Sequence, residues 1–200
     1  KPSNMVINSA GVIKLIDFNS AKYTGHRTES TQSKLPHNGI DRQAVIFEQV
    51  HGPPTDIWSL GCIFASLHTR DVLFQGNGQI DQLSKIFAVR GTATNESWPE
   101  AQKLPDFMEF SAIPPRDLSA IFPMMSAHAL DLLEKMLQLD PNRRPSAQEA
   151  LNHPYFTEDS VEACLPKDLP IASLLQVSIN REINLKSILV FHKFGVLGFW

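Results

Sequence analysis

The chain has 200 residues, of which 42% are apolar and 20% are charged. This composition is ordinary for a globular chain that buries a sizeable core. Lys and Arg number 18 against 21 Asp and Glu, and the net charge of −3 argues against a nucleic-acid binder or a polybasic membrane anchor. Two cysteines, Cys62 and Cys164, are too few for a disulfide scaffold, and the seven histidines form no cluster with metal-ligand spacing. No apolar run reaches the ~18 residues that a membrane helix needs.

Two short apolar segments stand near the start of the sequence. They are residues 5–7 and 12–16, and the sequence Asn-Ser-Ala-Gly between them is typical of a turn. We therefore predict a small β-hairpin. Because both segments are almost continuously apolar, we expect both faces of the hairpin to be covered. The polar stretch 23–41 has neither a helical nor a strand period and is expected to form a long surface loop.

Helices are predicted for most of the remaining chain. Thr55 is expected to cap a helix that is apolar on every face and therefore central, and a second helix ends at Gly91. Residues 92–126 are Pro-rich and predict an irregular but packed insert. Ser126 then caps an amphipathic helix, and Ser146 forms a capping box with the glutamate three residues later. The predicted fold class is mainly α with a small β-hairpin.

An amide and a carboxylate flank the predicted hairpin. Asn4 precedes its first strand and Asp17 follows its second, so the two side chains can converge on one metal ion. Mg²⁺ takes few oxygen ligands from protein and the rest from phosphate and water. Lys1 adds a positive charge suited to a transferring phosphoryl group. Taken singly, each of these residues is more often structural, and only the combination indicates chemistry.

Several segments of the chain resemble motifs of the eukaryotic protein kinases. Lys-Pro-Ser-Asn at 1–4 resembles the second half of the catalytic loop, and Asp-Phe-Asn at 17–19 resembles the metal-binding Asp-Phe-Gly triplet. Asp-Ile-Trp-Ser-Leu-Gly-Cys at 56–62 is similar to the start of the central kinase helix. Leu-Asp-Pro-Asn-Arg-Arg-Pro-Ser at 139–146, followed by His-Pro-Tyr-Phe at 153–156, resembles the C-terminal signature. The motifs occur in the family's order.

The middle of the chain narrows the resemblance to the cyclin-dependent kinases. The similar segments are Leu-Phe-Gln-Gly at 73–76, Asp-Gln-Leu at 81–83, Gly-Thr at 91–92 and Trp-Pro at 98–99. Asp-Leu-Pro-Ile at 168–171 is similar to both the cell-cycle-related and the CDK-activating branches. The choice between these two branches stays open.

The resemblance implies two regions in the chain. Residues 1–170 would form a partial kinase domain, namely its helical C-terminal lobe, within the α+β fold of a full kinase. Residues 171–200 match no motif of the family and stay unassigned. Packing on the domain, a partner surface and translated intron sequence are open alternatives for them. Because the sequence starts at Lys1 with no signal peptide, we expect the chain to be a fragment of a longer protein.

The resemblance also implies roles for individual residues. Asn4 and Asp17 would hold Mg²⁺ on the phosphates of ATP, and Lys1 would contact the transferring phosphoryl group. Val6 would lie beneath the adenine, and Ile16 would stand just before the metal-binding Asp. The implied activity is transfer of the ATP γ-phosphoryl group to Ser or Thr of a protein. The implied partner is a cyclin-like subunit, and the implied location is the cytoplasm and nucleus.

Three departures from the family pattern bear on activity. The catalytic Asp of the His-Arg-Asp-x-x-x-x-Asn pattern would lie ahead of Lys1, so we expect the 200 residues alone to be inactive. Asn19 replaces a glycine, which is a mild change because Asn tolerates positive φ. Gln43 stands where the family has a Glu that pairs with the arginine matched by Arg144. Loss of one partner of a buried ion pair can cost ~3–5 kcal/mol.

Other assignments stay open at the level of sequence. Glu48 is a possible substitute partner for that arginine, and Thr28 and Thr31 are candidates for the loop's phosphoacceptor. Asp56 would accept backbone N–H bonds from the catalytic loop, although the helix dipole also favours an acid at such a position. The alternative function is a pseudokinase-like scaffold, in which the 92–126 insert supplies a docking surface. An intact His-Arg-Asp upstream would favour the enzyme.

Overall fold

The computed structural model describes residues 1–8, 12–19, 21, 52–104 and 107–157. These residues form one hairpin and a series of helices, which is the mainly α architecture that the sequence pattern predicts. The hairpin consists of β1 (Met5–Ile7) and β2 (Ile13–Leu15) and follows a 3₁₀ turn at Pro2–Asn4. The α-helices are α1 (Pro53–Thr69), α2 (Gln79–Arg90), α3 (Leu118–Ile121), α4 (Ala127–Met136), α5 (Ala147–Leu151) and α6 (Pro154–Thr157). Within the described ranges, none of these helices has the length and apolar character to cross a membrane.

The hairpin is antiparallel and is exposed on part of its surface. Its central pair is Val6 opposite Lys14. Leu15 is 60% exposed and Ile16 is 39% exposed, so the expectation that both faces are covered is wrong. In the described part of the chain the sheet has two strands. Continuous apolar residues indicate a strand covered on both faces when the strand lies inside a larger parallel sheet. In this two-stranded hairpin they do not.

Helix α1 lies at the centre of the helical body. It begins at Pro53 with Gly52 as its N-cap, three residues before the predicted cap Thr55, because proline is well suited to the first helical turn. The side chain of Trp58 is buried and stacks on Phe74 with 5.9 Å between ring centroids. At Gly61 the helix approaches the end of α4 so closely that an added Cβ would lie 3.0 Å from Leu137 Cδ2.

The insert at 92–126 is irregular and packed, as predicted. Its buried side chains include Trp98, Leu118 and Phe122, which join the main hydrophobic cluster. The backbone is fastened to the end of α2, since Thr92 N donates to Ile113 O at 3.0 Å. These contacts make the insert part of the core and not an appended loop.

The predicted helix ends are mostly confirmed. Ser126 Oγ accepts the Ala129 N–H at 3.1 Å and begins α4. Ser146 forms its capping box with Glu149 at the start of α5. Gly91 ends α2 with a φ of 76°, a conformation that favours glycine. The sequence prediction did not include α6.

A three-residue polar cluster joins α4 to α6. Asp131 Oδ2 accepts from Lys135 Nζ at 2.6 Å and from His153 Nε2 at 2.8 Å. His153 is buried, and its Nδ1 accepts the Tyr155 N–H at 3.2 Å, so Nε2 carries the proton that faces Asp131. Hydrogen bonds from Lys135 and then His153 hold the pKa of Asp131 below its usual value of 3.8.

Acid should weaken this junction through Asp131. A carboxyl group with a lowered pKa in the folded state contributes stability that is present above its unfolded pKa of 3.8. That contribution is lost as the pH falls through the lower folded pKa. Urea unfolding of the wild type and Asp131→Asn should therefore differ by up to about 1 kcal/mol at neutral pH, since the group is half-exposed.

The difference should shrink in acid below the unfolded pKa. Glu96→Gln removes the same charge at an exposed turn residue and serves as the control, and its difference from the wild type at neutral pH should be smaller than that of Asp131→Asn. An Asp131→Asn effect of the same size at neutral and acidic pH would contradict the assignment.

Candidate active site

The ends of the hairpin bring Asn4 and Asp17 together. The ladder continues past the strands, because Ile16 N donates to Asn4 O at 2.9 Å. This bond places Asp17, the next residue, beside Asn4, and Asn4 Nδ2 lies 3.5 Å from Asp17 Oδ2. Asn4 is partly buried and Asp17 is exposed. The two side chains that the sequence suggested as metal ligands are therefore neighbours.

The backbone at Asp17 adopts an uncommon conformation. Its φ is 63°, in the left-handed region that few non-glycine residues occupy and in which Asp is enriched. Such conformations concentrate at functional sites, where the surrounding structure holds them in place. The chain then turns, since Ala21 N donates to Phe18 O at 3.0 Å.

Asn19 lies in this turn and is exposed. Among the described residues, Asp17 and Arg70 are the non-glycine residues with positive φ, so Asn19 is not in the left-handed region. The sequence analysis explained the replacement of glycine by Asn through the tolerance of Asn for positive φ. In the structure Asn19 does not need that tolerance, because its φ is not positive. Within the Asp-Phe-Asn triplet, the residue with a left-handed backbone conformation is Asp17.

The other predicted site residues lie around this pair. Lys1 is exposed, and its carbonyl accepts the Asn4 N–H at 3.0 Å, which closes the 3₁₀ turn. Val6 is partly buried in β1, and Ile16 directly precedes Asp17. Asp56 is exposed in the first turn of α1, where the helix dipole favours an acid.

The donor set at the hairpin fits a cation that is shared with phosphate. Asp17 offers carboxylate oxygens, and rotation of the Asn4 amide would present its Oδ1 beside them. Mg²⁺ is usually bound through one or two carboxylates, with phosphates and water completing its shell. Among the residues that the structure describes, no group of three or more His, Cys, Asp or Glu forms a metal cage. The oxygen donors of the pair are of the kind that suits Mg²⁺ when phosphate and water complete its shell.

Arg144 is a buried anchor beneath the start of α1. Its Nε donates to Gln138 O at 2.8 Å, its Nη1 to Pro54 O at 2.8 Å and its Nη2 to Leu139 O at 3.1 Å. Its Cζ lies 4.8 Å from the centroid of the Trp58 ring, a cation–π geometry. Burial lowers the pKa of Arg144 to about 10. The guanidinium thus joins the start of α1 to the segment after α4 through main-chain carbonyls.

Several sequence candidates lie outside the described residues. They are Gln43, Glu48, Thr28 and Thr31, and their assignments stay predictions. Burial raises the pKa of the Cys62 thiol on α1 to about 12, despite the nearby charge of Arg144. The sequence analysis missed the three carbonyl acceptors of Arg144, since main-chain acceptors leave no signal in a sequence.

We expect Arg144→Lys to destabilise the chain by about 1–3 kcal/mol, the cost of leaving buried carbonyl acceptors without a donor. A lysine ammonium cannot reach three carbonyls in a planar arrangement and cannot stack in the same way on Trp58. Arg143→Lys is a matched control, because Arg143 is half-exposed and its Nε lies 3.6 Å from Asp140 Oδ2. The control should lose less than about 1 kcal/mol in urea unfolding. Equal losses for the two variants would refute the anchoring role.

Comparison with known proteins establishes the family. The protein kinase domain model matches residues 1–156. The chain belongs to the protein kinase family. Its relatives include the cyclin-dependent kinase 7 of Dictyostelium discoideum, 39% identical over 182 residues, 88% of this chain and 50% of that protein. The cyclin-dependent kinase D-1 of Arabidopsis thaliana is 39% identical over 202 residues, 97% of this chain and 50% of that protein.

A third relative is a serine/threonine-protein kinase of Encephalitozoon cuniculi named as a KIN28 homolog. It is 37% identical over 174 residues, 87% of this chain and 54% of that protein. Within the kinase family the chain therefore groups with the cyclin-dependent kinases. It spans about half the length of the curated relatives it matches. Protein kinases use ATP with divalent cations, so the family implies both.

Proposed function

We propose that this chain is the C-terminal lobe of a cyclin-dependent-kinase-type serine/threonine kinase and that Asn4 and Asp17 hold Mg²⁺ on ATP in the whole protein. The observation that carries the proposal is the convergence of these two side chains at 3.5 Å, on a hairpin whose Asp is left-handed. Membership in the kinase family supports it. The names of the relatives support protein Ser or Thr as the phosphoryl acceptor and a cyclin-like subunit as the partner.

Each residue of the pair would make a distinct contribution. Asp17 would supply a negatively charged oxygen and Asn4 a neutral one. Mg²⁺, when bound, neutralises charge on the phosphates of the nucleotide. Lys1, exposed at the start of the same 3₁₀ turn, would add a positive charge for a transferring phosphoryl group. Phosphoryl transfer depends mainly on such positioning and electrostatic stabilisation.

The 200 residues by themselves are proposed to be inactive. In the family pattern the Asp that accepts the substrate's hydroxyl proton precedes the Asn matched by Asn4 and has no counterpart in this sequence. The purified chain is therefore expected to show no phosphorylation of a protein substrate that depends on Mg²⁺ and ATP. Detection of such phosphorylation would overturn this part of the proposal.

Asp17→Asn should abolish most of the cation binding at the hairpin. Asparagine keeps the size of the side chain and the tolerance for positive φ, while it removes the charge. With Mn²⁺ in the presence of ATP as a paramagnetic probe, NMR line broadening near Asn4 should require at least about tenfold more metal in the variant. Asp71→Asn changes the net charge equally at an exposed position after α1 and should leave the broadening unchanged.

The result separates the two functional classes. Mn²⁺ broadening around Asn4 that is lost in Asp17→Asn supports the kinase site. Broadening that is absent in the wild type, or that persists in Asp17→Asn, would contradict the proposed metal pair. It would favour the scaffold alternative.

A further inference from the structure

We infer that Asn8 is a positioning residue for the Asn4–Asp17 pair, because its side chain fixes the register of the hairpin that brings the pair together. The inference rests on the proposed function of that pair. Asn8 does not touch the pair. It lies after β1, at the opposite end of the hairpin.

The contacts of Asn8 close the hairpin at its turn. Asn8 N donates to Val12 O at 3.0 Å, and Val12 N donates to Asn8 Oδ1 at 2.9 Å. The Oδ1 atom of Asn8 thus acts in place of a main-chain carbonyl and accepts the N–H of Val12, the residue just before β2. Both groups of Val12 that bond Asn8 belong to the main chain, so among these two bonds only the one to Asn8 Oδ1 depends on the identity of a side chain.

The short ladder between β1 and β2 does little to fix the register of the hairpin by itself. Only three residue pairs join β1 and β2, and an isolated two-stranded hairpin is marginally stable in water. The apolar residues on both sides of the ladder do not strongly favour one register, since a strand specifies its register mainly through a contrast between its two faces. That contrast is weak at the end of the returning strand, where the consecutive residues Leu15 and Ile16 are both exposed.

A change of register would separate the predicted metal ligands. A strand advances about 3.3 Å per residue. A slip of one residue would therefore move Asp17 by about the 3.5 Å that now separates its Oδ2 from Asn4 Nδ2. It would also break the bond from Ile16 N to Asn4 O and turn the side chains of the slipped strand to the opposite face. Asn8 therefore controls the geometry of the pair from the far end of the ladder.

The test compares three variants of the full 200-residue chain. Asn8→Ala removes the acceptor, whereas Asn8→Asp keeps an oxygen in the same place. Val12→Thr is the matched control, because it alters the side chain of the bonded partner and leaves both of its main-chain bonds intact. Near-ultraviolet circular dichroism of the buried Trp58 and Trp98 verifies that the helical body is folded in each variant.

Two readouts are taken on each variant. Asn8→Ala should speed amide hydrogen exchange at Ile16 by about fivefold or more, the loss expected for one hydrogen bond. It should weaken Mn²⁺ broadening at Asn4 by a similar factor. Asn8→Asp should restore both values toward the wild type, and Val12→Thr should change neither. A purely structural role at the turn would alter exchange at Val12 without changing Mn²⁺ binding.

The failure of this inference is distinguishable from the failure of the proposed function. If the wild type binds Mn²⁺ through Asp17 and Asn8→Ala binds it equally well, Asn8 does not position the pair. Failure of Asn8→Asp to restore both readouts would also overturn the role of the side-chain acceptor. If the wild type does not bind Mn²⁺ through Asp17, the metal pair itself is refuted, and the positioning role falls with it.

Discussion

The buried contact between α1 and α4 is the constraint on which the helical body depends. Gly61 permits it, since an added Cβ would lie 3.0 Å from Leu137 Cδ2 and from Met136 Cβ, closer than ordinary van der Waals contact. Around this contact the core closes through the Trp58–Phe74 stack and the fully buried Leu133 and Leu137. Arg90 adds a polar tie from α2, because its Nε donates to Leu137 O at 2.8 Å. The insert at 92–126 packs on this core through Trp98, Leu118 and Phe122.

The candidate site is built differently from this body. It rests on a short two-stranded ladder with exposed side chains, and main-chain hydrogen bonds at both ends of the ladder define it. Such a ladder buries little apolar surface, so its geometry depends on individual polar contacts to a degree that the helical core does not. The contrast is consistent with a general rule, by which rigid scaffolds carry chemical groups on less rigid segments.

Much of this organisation could be predicted from the sequence. Ser126 and Ser146 were identifiable as caps because capping depends on residues a few positions apart, and the periodic stripe of α4 is equally local. The pairing of Asn4 with Asp17 was accessible because a hairpin brings its own ends together. The exposure of Leu15 was not predictable, since burial depends on what packs against a strand and not on the strand itself. The left-handed backbone of Asp17 and the carbonyl acceptors of Arg144 likewise arise from tertiary structure, which local patterns do not encode.

The way in which Arg144 is held has a consequence for the evolution of this chain. Three of its acceptors are the main-chain carbonyls of Pro54, Gln138 and Leu139, which every amino acid would provide at those positions. Substitution at these three sites therefore leaves the acceptors in place, whereas an anchor built on a carboxylate would be lost by a single codon change. The mutational risk is concentrated on Arg144 itself and on Trp58 beneath it. The side chains of Pro54 and Gln138 can therefore vary while the start of α1 remains attached to the segment that follows α4, whereas Leu139 is also constrained by its burial in the main hydrophobic cluster.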